Sequence, residues 1–198
     1  MMNHCGTKTL NTDRLVLRQF TPDDAQAMFD NWAKDPEVTR FLTWQPHENA
    51  EITRRLLQQW VEGYKDPKYY QWAICPKELG EPIGSISVVS MNDERDIVSI
   101  GYCIGRKWWH QGITSEAFAA VIKYLFEEVG VNRLEARHNV NNPNSGRVMK
   151  KCGLTCEGTL RQASTDNTGI MDLSVWSILR SEYEAMASRT NYQNRGSE

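Results

Sequence analysis

The sequence predicts one α/β domain built on a mixed sheet. Three observations carry that expectation. Short strand-like runs of alternating or β-branched apolar residues interleave with helical patterns in the order β-α-α-β-β-β-α-β-α-β-β. A long amphipathic stretch near the middle has apolar residues at spacings of three and four. The 198 residues, 40% of them apolar, suit a single well-packed domain rather than a disordered chain.

The elements follow in order. Arg14–Phe20 alternates Leu15 and Leu17 with polar neighbours and reads as a strand. A helix follows, with Thr21 as N-cap and Pro22 at its first position, and Asp35-Pro36 ends it. Residues 48–62 place Ile52, Leu56, Leu57, Trp60 and Val61 on one helical face. Three strands are expected at 69–75, 82–91 and 96–105, the last two joined by the turn Asn92–Arg95. Residues 115–129 are the amphipathic helix, with Phe118, Val121, Ile122, Leu125, Phe126 and Val129 inward and Gly130 as its stop. A strand at 132–140, a short helix at 144–152 closed by Gly153, and strands at 154–162 and 170–179 complete the chain. The domain is expected over 8–187, with 1–7 and the polar stretch 188–198 as flexible termini.

Bulk composition narrows the function. Lys and Arg number 23 against 25 Asp and Glu, giving a net charge of −2 with no basic block. Electrostatics therefore argue against direct nucleic-acid or membrane-surface binding. No stretch approaches the roughly 18 apolar residues of a membrane span, nor does the start read as a signal peptide. The five Cys are scattered, form no CxxC, and share no ligand spacing with the four His. No metal is expected, and free thiols point to the cytoplasm.

The chemistry concentrates in SIGYCIGRKWWHQGITSEAFAAVIKYLFEE. A strand runs into a loop whose Gly112 opens directly into the amphipathic helix. A helix N-terminus offers unpaired N–H groups and partial positive charge, and glycine lets an anion approach them. Main chain thus forms an anion site suited to a pyrophosphate. It is not a nucleotide P-loop, because no Lys follows the glycine, and it lacks GxGxxG.

Trp109-His110-Gln111-Gly112-Ile113-Thr114 resembles the (R/Q)xxGx(G/A) motif of the GNAT acetyltransferase superfamily. Its setting, IGYCIGRKWWHQGITSEA, is similar to the ribosomal-protein N-terminal acetyltransferase (Rim-type) branch. So are Thr12-Asp13-Arg14-Leu15-Val16-Leu17-Arg18 at the start and Asn142 through Leu154, Glu157-Gly158 and Asp172 downstream. The resemblance spans roughly residues 8–185. It implies a mostly antiparallel sheet of about seven strands, helices on both faces, and fourth and fifth strands (96–105 and 132–140) that splay apart. It also implies acetyl-coenzyme A as cosubstrate, its pantetheine arm pairing with backbone near Cys103–Gly105 in the manner of an added strand. Cys103, Ile104, Gln111, Gly112, Ile113, Thr114, Ser115, Asn142, Ser145, Arg147 and Lys151 are the cofactor-binding residues so implied.

Three positions depart from the family pattern. Thr114 replaces the second small residue of the motif, Ser99 stands where a strand Glu is frequent, and Met149 stands where a catalytic Tyr is common. The resemblance to the Rim-type branch implies that Ser145 and Asn142 lie beside the thiol end, with Ser145 able to donate to the leaving thiolate. Glu135, His138 and Glu157 are the candidate bases, Glu135 foremost. The aromatic candidates for the acceptor channel are Trp44, Tyr102 and Trp108. Cys103 has no base spaced for a triad, and the family transfers its acyl group directly. The expected acceptor is a protein N-terminal α-amine. A small amine such as a polyamine or antibiotic, or a catalytically weak coenzyme A-binding protein, are the alternatives. Monomer and homodimer are both open.

Overall fold

The computed structural model describes residues 1–195, with side chains through Ser188. Strand β1 (Leu10–Asn11) pairs with β2 (Leu15–Arg18), whose Leu15 and Leu17 are fully buried while the alternate residues are not. Thr21 and Asp24 then form a capping box around the turn Pro22–Asp24. It leads into α1 (Ala25–Met28) and a wider helical turn, Phe29–Ala33. Asp35 caps α2 (Pro36–Thr39) by accepting from the Glu37 N–H at 2.9 Å. Asn49 likewise caps α3 (Ala50–Gly63), accepting from Ile52 at 3.1 Å.

The remaining strands are β3 (Gln71–Pro76), β4 (Gly84–Asn92), β5 (Ile97–Ile104), β6 (Arg133–Asn139), β7 (Thr155–Asp166) and β8 (Gly169–Leu179). Helix α4 (Ile113–Tyr124) continues as a wide turn to Val129 and stops at Gly130, whose φ is +84°. Helix α5 is Pro143–Lys151 and α6 is Arg180–Arg195. The eight strands lie in the order β1-β2-β3-β4-β5-β6-β8-β7. Every pairing is antiparallel except β5 with β6.

Strand β3 is buried on both faces, and its alternation sorts the core. Trp72 and Ile74 point to α4 and its continuation, whose Phe118, Val121, Ile122, Leu125, Phe126 and Val129 are all buried. Ala73 and Cys75 point the other way, against Phe20, Met28, Trp32 and Leu57 of the α1–α3 region. Helices therefore cover both faces of the sheet. Fully burying each such aliphatic or Phe side chain contributes about 1.5–3 kcal/mol before the ordering cost.

The parallel pair positions the site. Strands β5 and β6 pair only over Ile97–Ile100 with Arg133–Ala136. Beyond that, β5 stays with β4 to Ile104 and β6 stays with β8 to Asn139. The two halves of the sheet diverge, because each strand keeps only its outer partner. These are the strands expected fourth and fifth; β1 shifts the count by one and makes the sheet eight-stranded rather than about seven.

Residues 1–7 are bonded to the body of the domain. The Asn3 N–H donates to Val129 O at 2.7 Å, the Gly6 N–H to Pro67 O at 2.8 Å, and Tyr124 Oη to Gly6 O at 2.6 Å. Met2 and Thr7 are buried. Each of these backbone groups finds a fixed partner, which a polar composition does not reveal. Within the expected tail 188–198 the backbone is helical to Arg195, as part of α6, and 196–198 lie outside the described residues. Tyr183 anchors that helix by stacking on Phe126, ring centroids 4.9 Å apart. Ile52, placed on the inner face of α3 by spacing, is 39% exposed; Thr53 takes the buried position instead.

Candidate active site

Where β5 and β6 part, they open a cleft of about 380 Å³. One wall is the end of β5 (Tyr102, Cys103, Ile104) with Trp108 and the opening of α4 from Gly112 to Ser115. The opposite wall is α5, through Asn142, Ser145, Arg147 and Lys151. A third side is α2 and the turn after it, through Glu37, Val38, Arg40, Phe41 and Leu42.

The anion end is built from backbone. Gly112 sits at φ +74°, ψ 2°, and His110, two residues before it, is also left-handed at φ +60°. The first ladder bond of α4 runs from Glu116 N to Gly112 O at 3.1 Å. The N–H groups of Ile113, Thr114 and Ser115 are therefore free of helical partners and face an open cleft. A Cβ on Gly112 would lie 3.5 Å from Lys151 Nζ and 3.7 Å from Arg14 Nη2, so the missing side chain leaves a notch between two cations. Thr114 lines the cleft, and no bond ties its hydroxyl to another described residue. Arg147 Nη1 donates to Asn144 Oδ1 at 3.1 Å. Gln111 does not line the cleft: its Nε2 donates to Lys107 O at 2.9 Å, and its carbonyl accepts from Arg14 Nη1 at 3.1 Å.

At the other end, Tyr102 and Ser145 meet although 43 residues apart. Tyr102 Oη donates to the Ser145 carbonyl at 3.0 Å and lies 3.1 Å from Ser145 Oγ, whose proton is then directed at the phenol oxygen. Burial pushes the Tyr102 phenol well above its ordinary range, so it stays protonated. Tyr102 is thus a partner of Ser145 as well as a cleft wall. Asn142 is the residue before α5, its N–H donating to Asn139 O at 2.8 Å. Cys103 lies 3.4 Å from Ser85 Oγ, and burial raises its pKa, so the thiol is a poor nucleophile. Met149 is 1% exposed and belongs to the core.

Three expected residues are not brought to the cleft. Glu135 points to the face opposite Leu134 and Ala136. It accepts from Arg133 Nε at 2.7 Å and Arg137 Nη2 at 3.1 Å, so both oxygens are engaged and it is not placed as a base. Trp44 packs in the α1–α3 core, its ring 5.3 Å from His47. Gln111 is turned away as described. Of the other candidate bases, His138 Nε2 accepts from Trp176 Nε1 at 3.1 Å on the far side of α5. Glu157 is held down to about 2, first by hydrogen bonds from Arg133 and then by Ser177. A carboxylate so stabilised has little affinity for a substrate proton.

Two features of the cleft escaped the sequence reading. Glu37 is exposed on its α2 side, and no bond ties its carboxylate to another described residue. The Pro36-Glu37 pair after Asp35 signalled only a helix start. The second is the fastening of that wall. Asn167, in the β7–β8 turn, donates from Nδ2 to Thr39 O at 2.9 Å and Trp44 O at 2.8 Å. Its N–H donates to Leu42 O at 3.2 Å.

Among the described residues, no group of three or more His, Cys, Asp or Glu is placed to hold a metal, and no helix is long and apolar enough to cross a membrane.

Comparison with known proteins agrees with this architecture. A family model described as an acetyltransferase (GNAT) domain matches residues 14–155. YoaA of Bacillus subtilis (strain 168), an uncharacterized N-acetyltransferase, is 33% identical over 171 residues, covering 86% of this chain and 96% of its own. The ribosomal protein uS5-alanine N-acetyltransferase of Escherichia coli (strain K12) is 26% identical over 155 residues, covering 75% of this chain and 79% of that protein. The crystal structure of a GNAT-family acetyltransferase from Bacillus anthracis superposes with a TM-score of 0.76 at 24% identity, over 88% of this chain and 99% of that one, a likeness of fold.

Proposed function

This chain belongs to the GNAT acetyltransferase family, and from that premise we propose that it acetylates protein N-terminal α-amines directly from acetyl-coenzyme A. The observation that carries the reading is the cleft at the parting of β5 and β6, with an anion notch at Gly112 and a hydroxyl pair at Ser145.

The residues present fit the cosubstrate. The notch over Gly112, the free N–H groups of Ile113, Thr114 and Ser115, and Lys151 and Arg147 would hold its phosphates. Beyond Ile100, β5 has no partner on its β6 side, so backbone from Gly101 to Ile104 is open to an extended arm. Asn142 and Ser145 line the cleft farther along α5. Acetyl-coenzyme A supplies an activated thioester whose thiolate is a fair leaving group, with a pKa of about 8.5 for a free thiol. Ser145 Oγ is the hydroxyl we assign to donate a hydrogen bond toward that thiolate, its single proton turning from the neighbouring Tyr102 oxygen to do so. Trp108, Phe41 and Leu42 wall the acceptor side and exclude water.

The acceptor follows from what the cleft lacks. Met149 is core, Glu135 is ion-paired and Glu157 is strongly acidic. None of the expected bases stands in the cleft, and the carboxylate that does, Glu37, is solvent-exposed on its α2 side, so an amine that is already partly neutral is favoured. At pH 7 about one α-amine in six is neutral, against about one Lys side chain in 2,500, a gap of about 3.5 kcal/mol. The relative that acetylates a ribosomal-protein alanine supports the same acceptor class. The test follows thiol release from acetyl-coenzyme A with two matched peptides and spermidine. One peptide has a free N-terminus and a blocked Lys, the other the reverse. The free N-terminus is expected to show the highest kcat/KM. Faster acetylation of the Lys peptide or of spermidine would overturn the assignment.

A further inference from the structure

We infer that Arg14 is a phosphate ligand for coenzyme A that also shapes the loop beneath it, a reading that rests on acetyl-coenzyme A as the occupant of the cleft. Arg14 comes from the opposite end of the sheet sequence, just before β2, and reaches α4 across about a hundred residues of chain. Three hydrogen bonds hold the residue, two of them from its guanidinium. Nε donates to Glu116 Oε2 at 2.7 Å, Nη1 donates to Gln111 O at 3.1 Å, and its own backbone N–H donates to Glu116 Oε1 at 2.9 Å. Thr12 Oγ1 donates to the same Glu116 oxygen at 2.6 Å, so the carboxylate is fully occupied in holding this arm.

The remaining nitrogen, Nη2, makes no bond to a described residue and lies 3.7 Å from where a Cβ of Gly112 would stand. Lys151 Nζ lies 3.5 Å from the same point. The notch is thus bounded by two cations, one from before β2 and one from α5, and floored by the first turn of α4. A planar guanidinium already fixed by a carboxylate suits a phosphate oxygen, because little side-chain freedom is lost on binding. Glu116 offsets part of the positive charge, yet Lys151 and the helix N-terminus keep the notch cationic. Arg14 is 53% exposed, which leaves that edge open to a ligand.

The second role concerns loop shape. His110 and Gly112 both hold positive φ, and Gln111 lies between them with its carbonyl pinned by Arg14 Nη1. A left-handed His costs free energy that its surroundings must offset. Arg14 supplies one of those contacts, so its loss both removes a phosphate partner and loosens the loop.

The experiment compares two ligands on the full chain. Acetyl-coenzyme A carries the phosphates; S-acetylpantetheine keeps the thioester arm and lacks the pyrophosphate. Dissociation constants are measured by calorimetry for wild type, Arg14→Gln and Arg14→Lys, with melting temperatures to verify folding. Arg14→Gln is expected to weaken acetyl-coenzyme A about tenfold or more and to flatten its salt dependence, while S-acetylpantetheine changes less than about twofold. Arg14→Lys keeps the charge but not the fork, and is expected to fall between. An equal loss for both ligands in either variant, or unchanged acetyl-coenzyme A binding by Arg14→Gln, would overturn the inference. Wild type failing to bind acetyl-coenzyme A would instead overturn the cofactor reading on which it rests.

Discussion

Replacing Ser145 with alanine separates catalysis from folding at the hydroxyl pair. In the wild type, Tyr102 Oη is bonded to both the carbonyl and the hydroxyl of Ser145, at 3.0 and 3.1 Å. Ser145→Ala removes the second bond only, so the buried phenol still has an acceptor. The stability loss is then that of one net hydrogen bond, about 0.5–1.5 kcal/mol. The rate loss is larger. Removing a donor that acts on the leaving group is expected to lower kcat about tenfold to a thousandfold, or about 1.4–4 kcal/mol. Tyr102→Phe leaves the Ser145 hydroxyl in place without its guide and removes one bond from a carbonyl that the α5 ladder still engages, at a stability cost of about 0.5–1.5 kcal/mol. If Tyr102 acts only by orienting Ser145, the double variant is no slower than Ser145→Ala alone, because the two residues form one unit. The assay is thiol release at saturating acetyl-coenzyme A with a free-N-terminus peptide, alongside the acetyl-coenzyme A dissociation constant, which should stay near wild type. Wild-type kcat in Ser145→Ala would refute the leaving-group role. Fully additive losses in the double variant would refute the coupling.

Three further outcomes are expected. Gly112→Val places a β-branched residue at φ +74° and fills the notch between Lys151 and Arg14, so acetyl-coenzyme A binding by calorimetry should weaken about tenfold or more. Asn167→Ala removes two side-chain bonds from the acceptor wall, which should raise the acceptor KM and lower stability by about 1–3 kcal/mol while leaving acetyl-coenzyme A affinity unchanged. Glu157 has its folded pKa lowered from 4.5 to about 2, so its contribution is fully present above 4.5 and is lost as pH falls toward 2. The thermal midpoint of Glu157→Gln should therefore fall less than that of wild type across that window, and the difference should shrink in high salt because the carboxylate is 41% exposed.

Local signals exposed most of the frame. The inner face of α4 follows a helical period, and each of its six expected apolar residues is buried. Gly112 was legible because strand, glycine and helix adjoin in sequence, and its positive φ is what that junction requires. What stayed hidden depends on contacts between distant segments. Tyr102 and Ser145 lie on different elements, and only the divergence of β5 from β6 brings α5 against β5. Glu135 illustrates the limit of period-two reasoning. Alternation says that it and Ala136 face opposite ways, but only the packing of α4 decides which way is toward the cleft. Helix α6 carries little apolar patterning beyond Tyr183, so its helical state rests on docking rather than periodicity.

The bonds that Asn167 makes to Thr39 and Trp44 span 128 and 123 positions of chain. On a ribosome adding about 5–20 residues per second, the segment from Thr39 to Trp44 waits about 6–26 s for its fastener to be made. Leu15, Leu17 and α3 can collapse with β3 in that interval and Trp44 can pack on them, whereas the carbonyls of Thr39, Leu42 and Trp44 still wait for their donors. A nascent chain would thus hold a formed amino-terminal half with one loose flap until the last hairpin is synthesised. Truncation just before Asp166 should leave that flap open to a protease at residues 39–45 when the rest of the amino-terminal half resists, and wild type should be cut there no faster than elsewhere on its surface.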